Sequence, residues 1–289
     1  MSLSDYTKTV SRQGRVDITN LNIQFGTGKQ SFTALHNLSM SAKPGEFVCL
    51  LGSSGCGKST LLAALAGHIQ ANGGSILIDG QQINGPHPER GLVFQQHTLF
   101  PWKKIIDNVA FGLKMKGISR ATRHEQAREL LKLMGLAGFE NHYPAQLSGG
   151  MLQRVEIARV LINSPKVMLM DEPFGALDAQ TRMMMQQLLL EVWERIKTTI
   201  VFITHDIDEA LFLADRVLVM GARPGRIIEE IDLDFARPRH AELITSSHFM
   251  QLKRHCLELL HPQNSHFPLQ RVHSLSDAPV SEPDFAHQI

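Results

Sequence analysis

The sequence lacks any long apolar run, and no stretch of it approaches the roughly 18–20 consecutive apolar residues that a transmembrane helix needs. The segment from Met1 to Val16 is polar and has no apolar core of the kind that signal peptides carry. We therefore expect the chain neither to cross nor to leave a membrane by itself. Any association with a membrane is expected to come through a partner protein.

An excess of charge is also missing, and cysteine is scarce. Lys plus Arg number 29 and Asp plus Glu number 28, which leaves a formal net charge of +1. Such a balance gives no sign of a nucleic-acid-binding surface, and we expect no nucleic-acid partner. The three cysteines, Cys49, Cys56 and Cys256, do not form an even, spaced disulfide framework. Their number favours a reducing, cytoplasmic compartment.

Three short apolar runs indicate the fold class. Residues 47–51, 167–170 and 200–203 are continuous apolar stretches, as expected of strands that are buried on both faces of a parallel sheet. Looser patterns at Val16–Phe25 and residues 35–41 predict two further strands. Helical patterns at residues 59–66 and Ala179–Ile196 alternate with the buried strands, and this alternation predicts an α/β fold with a mostly parallel sheet.

The texture of the sequence changes several times along the 289 residues, which predicts six segments. They are a loose N-terminal extension (1–15), the first half of the core (16–98), a helical subdomain (99–158), the second half of the core (159–236), a C-terminal helical segment (237–261) and a mobile tail (262–289).

A glycine-rich loop follows the first buried strand and matches the pattern G-x-x-x-x-G-K-[ST]. Backbone N–H groups of such a loop, together with the start of the next helix, bind phosphate groups. We expect the lysine to contact the β- and γ-phosphates and the following serine to bind Mg²⁺. The predicted phosphate-binding residues are Gly52, Ser53, Ser54, Gly55, Cys56, Gly57, Lys58, Ser59 and Thr60. The helix dipole next to Cys56 predicts a thiol of lowered pKa, more reactive than the other two.

Two adjacent carboxylates, Asp171 and Glu172, end the second buried strand. This position is the carboxyl edge of the sheet, where α/β proteins bind their ligands. Asp171 is predicted to hold Mg²⁺, and Glu172 to orient and deprotonate an attacking water molecule.

Further motifs resemble those of the ABC transporter ATPases. Residues 147–153, Leu-Ser-Gly-Gly-Met-Leu-Gln, resemble the family signature, and Ser148, Gly149 and Gly150 open a helix that offers a second anion site. In that family the signature faces the γ-phosphate on the other subunit. The resemblance covers about residues 16–236. It implies a P-loop NTPase (RecA-like) core with a mostly parallel sheet, an antiparallel β edge and an inserted helical subdomain.

The resemblance also assigns roles to single residues. Gln95 matches the glutamine that touches Mg²⁺ and senses the γ-phosphate, and Asp178 matches an aspartate that reaches across the dimer. His205 matches the switch histidine that contacts the γ-phosphate. Phe25 is a candidate to stack on adenine, with packing in the core as the alternative. The implied ligands are ATP and Mg²⁺.

Within the superfamily, the sequence most resembles the importer ATPases for taurine, alkanesulfonates and nitrate. The stretches that carry this likeness lie at residues 85–86, 89–91, 99–102, 108–113, 171–178, 206–210 and 224–226. The likeness implies a head-to-tail dimer of two copies at the cytoplasmic face of the inner membrane. Its partners would be an integral-membrane permease and, indirectly, a substrate-binding protein. An exporter ATPase stays open as an alternative.

Three other kinds of protein fit the sequence less well. Chromosome and repair ATPases insert several hundred coiled-coil residues between the two halves, whereas residues 59–170 number only 112 here. Translation-type relatives carry two ATPase domains, and this chain has one phosphate loop. A nucleotide-binding scaffold without turnover would lack Glu172 or His205, and both are present.

Three features of the helical stretch give further expectations. Leu152 and Glu156 depart from the family pattern, in which a basic or polar residue and a small residue stand at these positions. Because both lie on the signature helix, we expect them to change the strength of the dimer contact. The cluster Leu-Phe-Pro-Trp at residues 99–102 is predicted to be an exposed permease-binding groove, with packing of Trp102 in the core as the alternative.

Overall fold

The computed structural model describes residues 13–26, 28–222 and 224–260. Most of the predicted N-terminal extension and the whole predicted tail lie outside the described residues. No helix in these ranges has the length and apolar character needed to cross a membrane.

The described chain alternates strands and helices. The strands are β1 (Val16–Phe25), β2 (Phe32–Ala42), β3 (Phe47–Gly52), β4 (Gly73–Ile78), β5 (Gln81–Gln82), β6 (Arg90–Val93), β7 (Val167–Asp171), β8 (Thr199–Thr204), β9 (Arg216–Gly221) and β10 (Arg226–Asp232). The α-helices are α1 (Lys58–Ala66), α2 (Ile105–Val109), α3 (Phe111–Met115), α4 (Arg120–Leu133), α5 (Gly149–Leu161), α6 (Ala179–Ile196), α7 (Ile207–Leu213) and α8 (Ser247–Leu260).

The larger sheet has six strands in the order β10-β9-β3-β8-β7-β6. All neighbouring pairs are parallel except β10 with β9. The apolar runs of β3 and β8 are buried along their whole length, as their sequences predict. Because β3, β6, β7 and β8 run in the same direction, their carboxyl ends meet at one edge of the sheet.

The smaller sheet is antiparallel, in the order β2-β1-β4-β5. It covers one face of the larger sheet. Along β3, Val48 and Leu50 pack with the small sheet and α1, whereas Phe47, Cys49 and Leu51 pack with helices on the opposite face. The period-2 alternation of a strand thus divides the core into two layers. The α/β fold with a mostly parallel sheet and an antiparallel part is confirmed.

Helices α2 to α5 lie between β6 and β7 in the chain, where the sequence predicts an inserted helical region. Four helices begin at a side chain whose oxygen accepts a hydrogen bond from a backbone N–H three residues later. These N-caps are Ser119 (α4), Ser148 (α5), Asp178 (α6) and Asp206 (α7).

The described elements refine two parts of the predicted organisation. Strand β2 begins at Phe32 instead of residue 35, because Phe32 and Thr33 pair with the end of β1. The C-terminal segment contains α8, which begins at Ser247, well after residue 237. This helix buries Phe249 and Cys256, seven residues apart on one face, against the helical layer of the core.

Candidate active site

The phosphate loop joins the end of β3 to α1. Gly57 is the N-cap of α1 and has φ 97°, a left-handed conformation that favours glycine. A Cβ atom at Gly57 would lie 2.7 Å from Leu35 Cδ2, so a larger residue would also collide with β2. The first N–H groups of a helix have no carbonyl partner within the helix, so those at the start of α1 can bind an anion.

Lys58 lies inside this loop and is only 5% exposed. Its Nζ donates hydrogen bonds to Gly52 O at 2.7 Å and Ser53 O at 3.1 Å. The same ammonium lies 3.9 Å from Glu172 Oε1. Lys58 thus places a positive charge in the loop, beside the carboxylate of Glu172.

Asp171 and Ser59 come together at the same edge of the sheet. Ser59 Oγ donates a hydrogen bond to Asp171 Oδ1 at 3.3 Å. The pKa of Asp171 is raised, mainly because the carboxyl is partly buried. The hydrogen bond from Ser59 lowers this pKa, and the nearby charge of Glu172 raises it. A carboxylate and a hydroxyl are oxygen ligands of the kind that Mg²⁺ prefers.

Gln95 follows β6, the neighbour of β7, and its side chain is exposed. Its Nε2 lies 3.6 Å from the position that a Cβ atom of Gly175 would take. The structure therefore places Gln95 beside the loop that links Glu172 to α6. Its contact with a metal ion stays a prediction.

Glu172 and His205 form a direct pair. Glu172 has φ 43°, an uncommon conformation for a residue other than glycine, and its N–H donates to Ile203 O on β8. Its Oε2 lies 2.9 Å from Nδ1 of His205, whose side chain is 62% exposed. A carboxylate fixed in this way by an exposed imidazole is well placed to bind a water molecule.

Lys58, Ser59 and Glu172 border an open cleft of about 900 Å³, and Asp171 and His205 contact Ser59 and Glu172 from outside its lining. The lining residues include Ser54, Gly55, Gly57, Lys58, Ser59, Thr60 and Glu172 from the predicted site, together with Phe32, Thr33, Ala34, His36 and Pro224. The structure thus brings the phosphate loop and the carboxylate together with the start of β2. The sequence does not predict that these β2 residues line the cleft, because the predicted strand begins only at residue 35.

The aromatic side of the cleft is a pair of phenylalanines. Phe32 lines the cleft and is 60% exposed. Phe25 is half-buried and stacks on Phe32, with ring centroids 5.5 Å apart. Phe25 is not among the lining residues, so its contact with adenine stays a prediction, and Phe32 joins it as a second candidate. The sequence signal for Phe32 is that this apolar residue begins a strand directly after a glycine-containing turn.

The signature residues lie on another surface of the chain. Ser148 and Gly149 are exposed at the start of α5 and do not line the cleft. A Cβ atom at Gly150 would lie 2.7 Å from Thr181 Cγ2, which places the start of α5 against the first turn of α6. Within one chain, the two predicted anion sites are therefore separate.

Asp178 caps α6 and is exposed. The hydrogen bond from the Thr181 N–H lowers the pKa of its carboxyl. Arg182, which sequence reasoning missed, donates to Leu177 O at 2.9 Å and to Asp206 Oδ2 at 3.3 Å. It joins the loop before α6 to the segment that carries His205.

The prediction of a reactive thiol at Cys56 is wrong. The side chain points into the core, where its Sγ lies 2.7 Å from the position of a Cβ atom at Gly52, and the residue is buried. Burial raises the pKa of Cys56, and the nearby charge of Lys58 and backbone hydrogen bonds only partly offset this. The cysteine is a packing residue of the loop.

The aromatic cluster at residues 99–102 is partly exposed. Trp102 is 71% exposed, so packing of this ring in the core is wrong. Phe100 is half-buried and lies against Phe111, with ring centroids 4.7 Å apart. The cluster therefore has one half-buried ring, Phe100, and one largely exposed ring, Trp102.

Glu209, on α7 four residues after His205, is a buried acid of unusual pKa. The pKa of its carboxyl is raised from the ordinary 4.5 to about 7, mainly because the group is buried. The charge of Asp206 also raises the pKa, whereas hydrogen bonds with Thr204 and Gln186 and the charge of Arg182 lower it. Gln186 Nε2 donates to Glu209 Oε1 at 3.1 Å. The native state thus binds an extra proton between about pH 4.5 and pH 7. The free energy of unfolding therefore falls as pH rises through this window.

We expect Glu209→Gln to remove this dependence, because the amide oxygen can still accept the bond from Gln186 and carries no charge. The variant should match the native chain near pH 5 and melt higher near pH 8, by on the order of 5 °C. Thermal melting at several pH values measures this, with exposed Glu129→Gln as the control. If Glu209→Gln and the native chain differ in melting temperature by the same amount near pH 5 and near pH 8, Glu209 does not titrate in this range.

Comparison with known proteins agrees with this geometry. The ABC transporter family model matches residues 35–175. The nitrate import ATP-binding protein NrtD of Synechocystis is 49% identical over 219 residues, which are 76% of this chain and 82% of the relative. The taurine import ATP-binding protein TauB of Rhizobium johnstonii is 49% identical over 234 residues, which are 79% of this chain and 89% of the relative.

A solved structure is also similar. It is a dimeric ATP-binding cassette in a post-hydrolysis state, bound to ADP and Pi. It matches with a TM-score of 0.67 and 35% identity, over 76% of this chain and 100% of that one.

Proposed function

Since this chain belongs to the ABC transporter family, we propose that it is the ATP-hydrolysing subunit of an importer for a small anionic solute. The observation that supports this proposal is that Lys58, Ser59 and Glu172 line one cleft at the sheet edge, with Asp171 bonded to Ser59 and His205 bonded to Glu172. The chain is an ATPase, and ATP is its substrate.

In the proposed reaction, the N–H groups of the phosphate loop and the Lys58 ammonium bind the β- and γ-phosphates. Water attacks the γ-phosphorus, the bond from this phosphorus to the β–γ bridging oxygen breaks, and Glu172 accepts the proton of the water. His205 holds the Glu172 carboxylate and contacts the γ-phosphate. The products are ADP and inorganic phosphate.

The donor set at Ser59 and Asp171 fits Mg²⁺, because both groups offer oxygen and the partly buried Asp171 carboxylate has only the serine hydroxyl as a described hydrogen-bond donor. We propose that these two residues, with Gln95, hold the ion. When bound, Mg²⁺ neutralises phosphate charge during transfer.

We propose that a second copy completes each site. Ser148, Gly149 and Gly150 lie outside the chain's own cleft, and a head-to-tail dimer would bring their anion site to the partner's γ-phosphate. Asp178 would reach across the same contact. Dimeric cassettes are known among the similar structures.

The names of the relatives support a proposal for the cargo and the remaining partners. Nitrate and taurine are the solutes named for two of them. We therefore propose a permease and a substrate-binding protein as partners, with the chain peripheral to the cytoplasmic face of the inner membrane. Vesicles that carry the permease, with the chain inside and the substrate-binding protein outside, should take up taurine or nitrate only with Mg-ATP inside. ATP-driven release of these solutes in the export direction would contradict the proposal.

The exposed cluster around Trp102 is proposed to bind the permease. Its free aromatic surface beside Lys103 and Lys104 is typical of a protein-binding site. We expect Phe100→Ala combined with Trp102→Ala to reduce copurification of the permease by at least about tenfold, since losing two aromatic contacts of about 1 kcal/mol each weakens binding by about 30-fold. ATP affinity of the isolated chain should stay unchanged, because neither ring contacts the cleft. Normal copurification by the double variant would exclude this surface.

A further inference from the structure

Glu156, on the third turn of α5, is the departure from the family pattern that the structure explains. It is only 3% exposed, and its carboxylate contacts Thr98 of the same chain. The Thr98 N–H donates to its Oε1, and the Thr98 hydroxyl lies 3.2 Å from both carboxylate oxygens. Its effect on the strength of the dimer contact stays a prediction, and the contacts described here lie within one chain.

Arg159, one turn further along α5, holds the other side of Thr98. It donates to Thr98 O at 2.8 Å and to Thr98 Oγ1 at 2.9 Å, and its Nε lies 3.9 Å from Glu156 Oε2. Its guanidinium also lies 5.4 Å from the centroid of the Phe100 ring. The N–H, carbonyl and hydroxyl of Thr98 are thus all bonded to one helix.

The burial of Glu156 makes this attachment stiff. A buried carboxylate loses its hydration, so its stability in this position depends on the hydrogen bonds that replace the lost water. If Thr98 moved away from α5, the Glu156 carboxylate would lose the donors that offset this cost. A small residue at position 156 would let the two segments separate more easily.

The attachment continues into the aromatic cluster. The Phe100 N–H donates to Asn108 Oδ1 at 2.8 Å, and Asn108 Nδ2 donates to Phe100 O at 3.1 Å. The rings of Phe100 and Trp102 lie with their centroids 5.8 Å apart. Asn108 lies on α2, so Phe100 is held from two sides: by α2 through Asn108, and by α5 through Arg159, which bonds Thr98 and lies over the Phe100 ring.

We infer that Glu156 is a positioning residue that couples the signature end of α5 to the surface around Trp102. Ser148 lies eight residues before Glu156, about 12 Å along the helix. Movement of Ser148 when a dimer closes would reach the Trp102 surface through Glu156, Arg159 and Thr98. This inference rests on the proposed function, because it needs the ATP-driven dimer.

The tryptophans of the chain give a direct test. The chain has two, Trp102 and Trp193, and Trp193 is buried. Quenching of tryptophan fluorescence by acrylamide therefore reports mainly on Trp102, and Trp102→Phe should remove most of the signal. Dimer formation is followed by size exclusion with Mg-ATP in a Glu172→Gln background. With Glu156 intact, we expect quenching to change when the dimer forms.

Glu156→Ala should form the dimer and lose this change in quenching. Glu156→Gln should keep it, because its amide oxygen still accepts from Thr98, and exposed Glu129→Ala serves as the matched control. An unchanged response in Glu156→Ala would overturn the inference, as would a dimer with intact Glu156 and no change in quenching. If Glu156→Ala is the only variant that fails to form the dimer, the inference is also overturned, because Glu156 would then be needed for dimer formation itself. Absence of the dimer in every variant would overturn the proposed function as well.

Discussion

Glu172→Gln should lower the rate of ATP hydrolysis at least about 100-fold and leave ATP binding intact. General-base catalysis commonly contributes about 10²–10⁴ in rate, and an amide cannot accept the proton of the attacking water. The substituted side chain has nearly the same shape, and its amide can still hydrogen-bond to His205 Nδ1, which lies 2.9 Å from the native carboxylate. The loss should therefore fall on kcat, with little change in ATP affinity.

The same variant should accumulate as a long-lived dimer with Mg-ATP, because the nucleotide that closes the two copies is not consumed. Phosphate release measures turnover, and size exclusion with and without Mg-ATP measures the dimer. Glu129→Gln, on the exposed face of α4, is a matched control that should behave as the native chain. Hydrolysis at the native rate by Glu172→Gln would remove Glu172 from the role of base.

Local sequence signals predicted much of the sheet and the cleft. The strands β3, β7 and β8 are continuous apolar runs, and the motifs follow them directly, so parallel pairing alone brings Lys58, Glu172 and His205 to one edge. The capping residues Ser148 and Asp178 also mark helix starts by local chemistry. These features need only the order of residues along the chain.

Contacts between distant segments could not be predicted in this way. Thr98 and Glu156 are 58 residues apart, and nothing in either local pattern indicates that they meet. Cys56 shows the same limit: the helix dipole alone predicts a lowered thiol pKa, but packing against Gly52 buries the sulfur and reverses the direction. Phe32 was missed because its exposure depends on how β2 borders the cleft.

Lys58→Ala should weaken ATP binding by at least about 100-fold, which corresponds to roughly 3 kcal/mol for lost charge-assisted hydrogen bonds to phosphate. The native ammonium is already held in the loop by Gly52 O and Ser53 O, so little ordering is required of it when a phosphate binds. Titration calorimetry with Mg-ATP measures the affinity.

Folding must be separated from binding in this variant, because alanine leaves those two carbonyls without the lysine donor. Circular dichroism and thermal melting without nucleotide provide that separation. Lys114→Ala, a matched change at an exposed position on α3, should keep native affinity. A folded Lys58→Ala chain that binds ATP within about threefold of the native affinity would have lost less than about 1 kcal/mol of binding free energy. That result would place the main phosphate contacts on the backbone N–H groups of the loop.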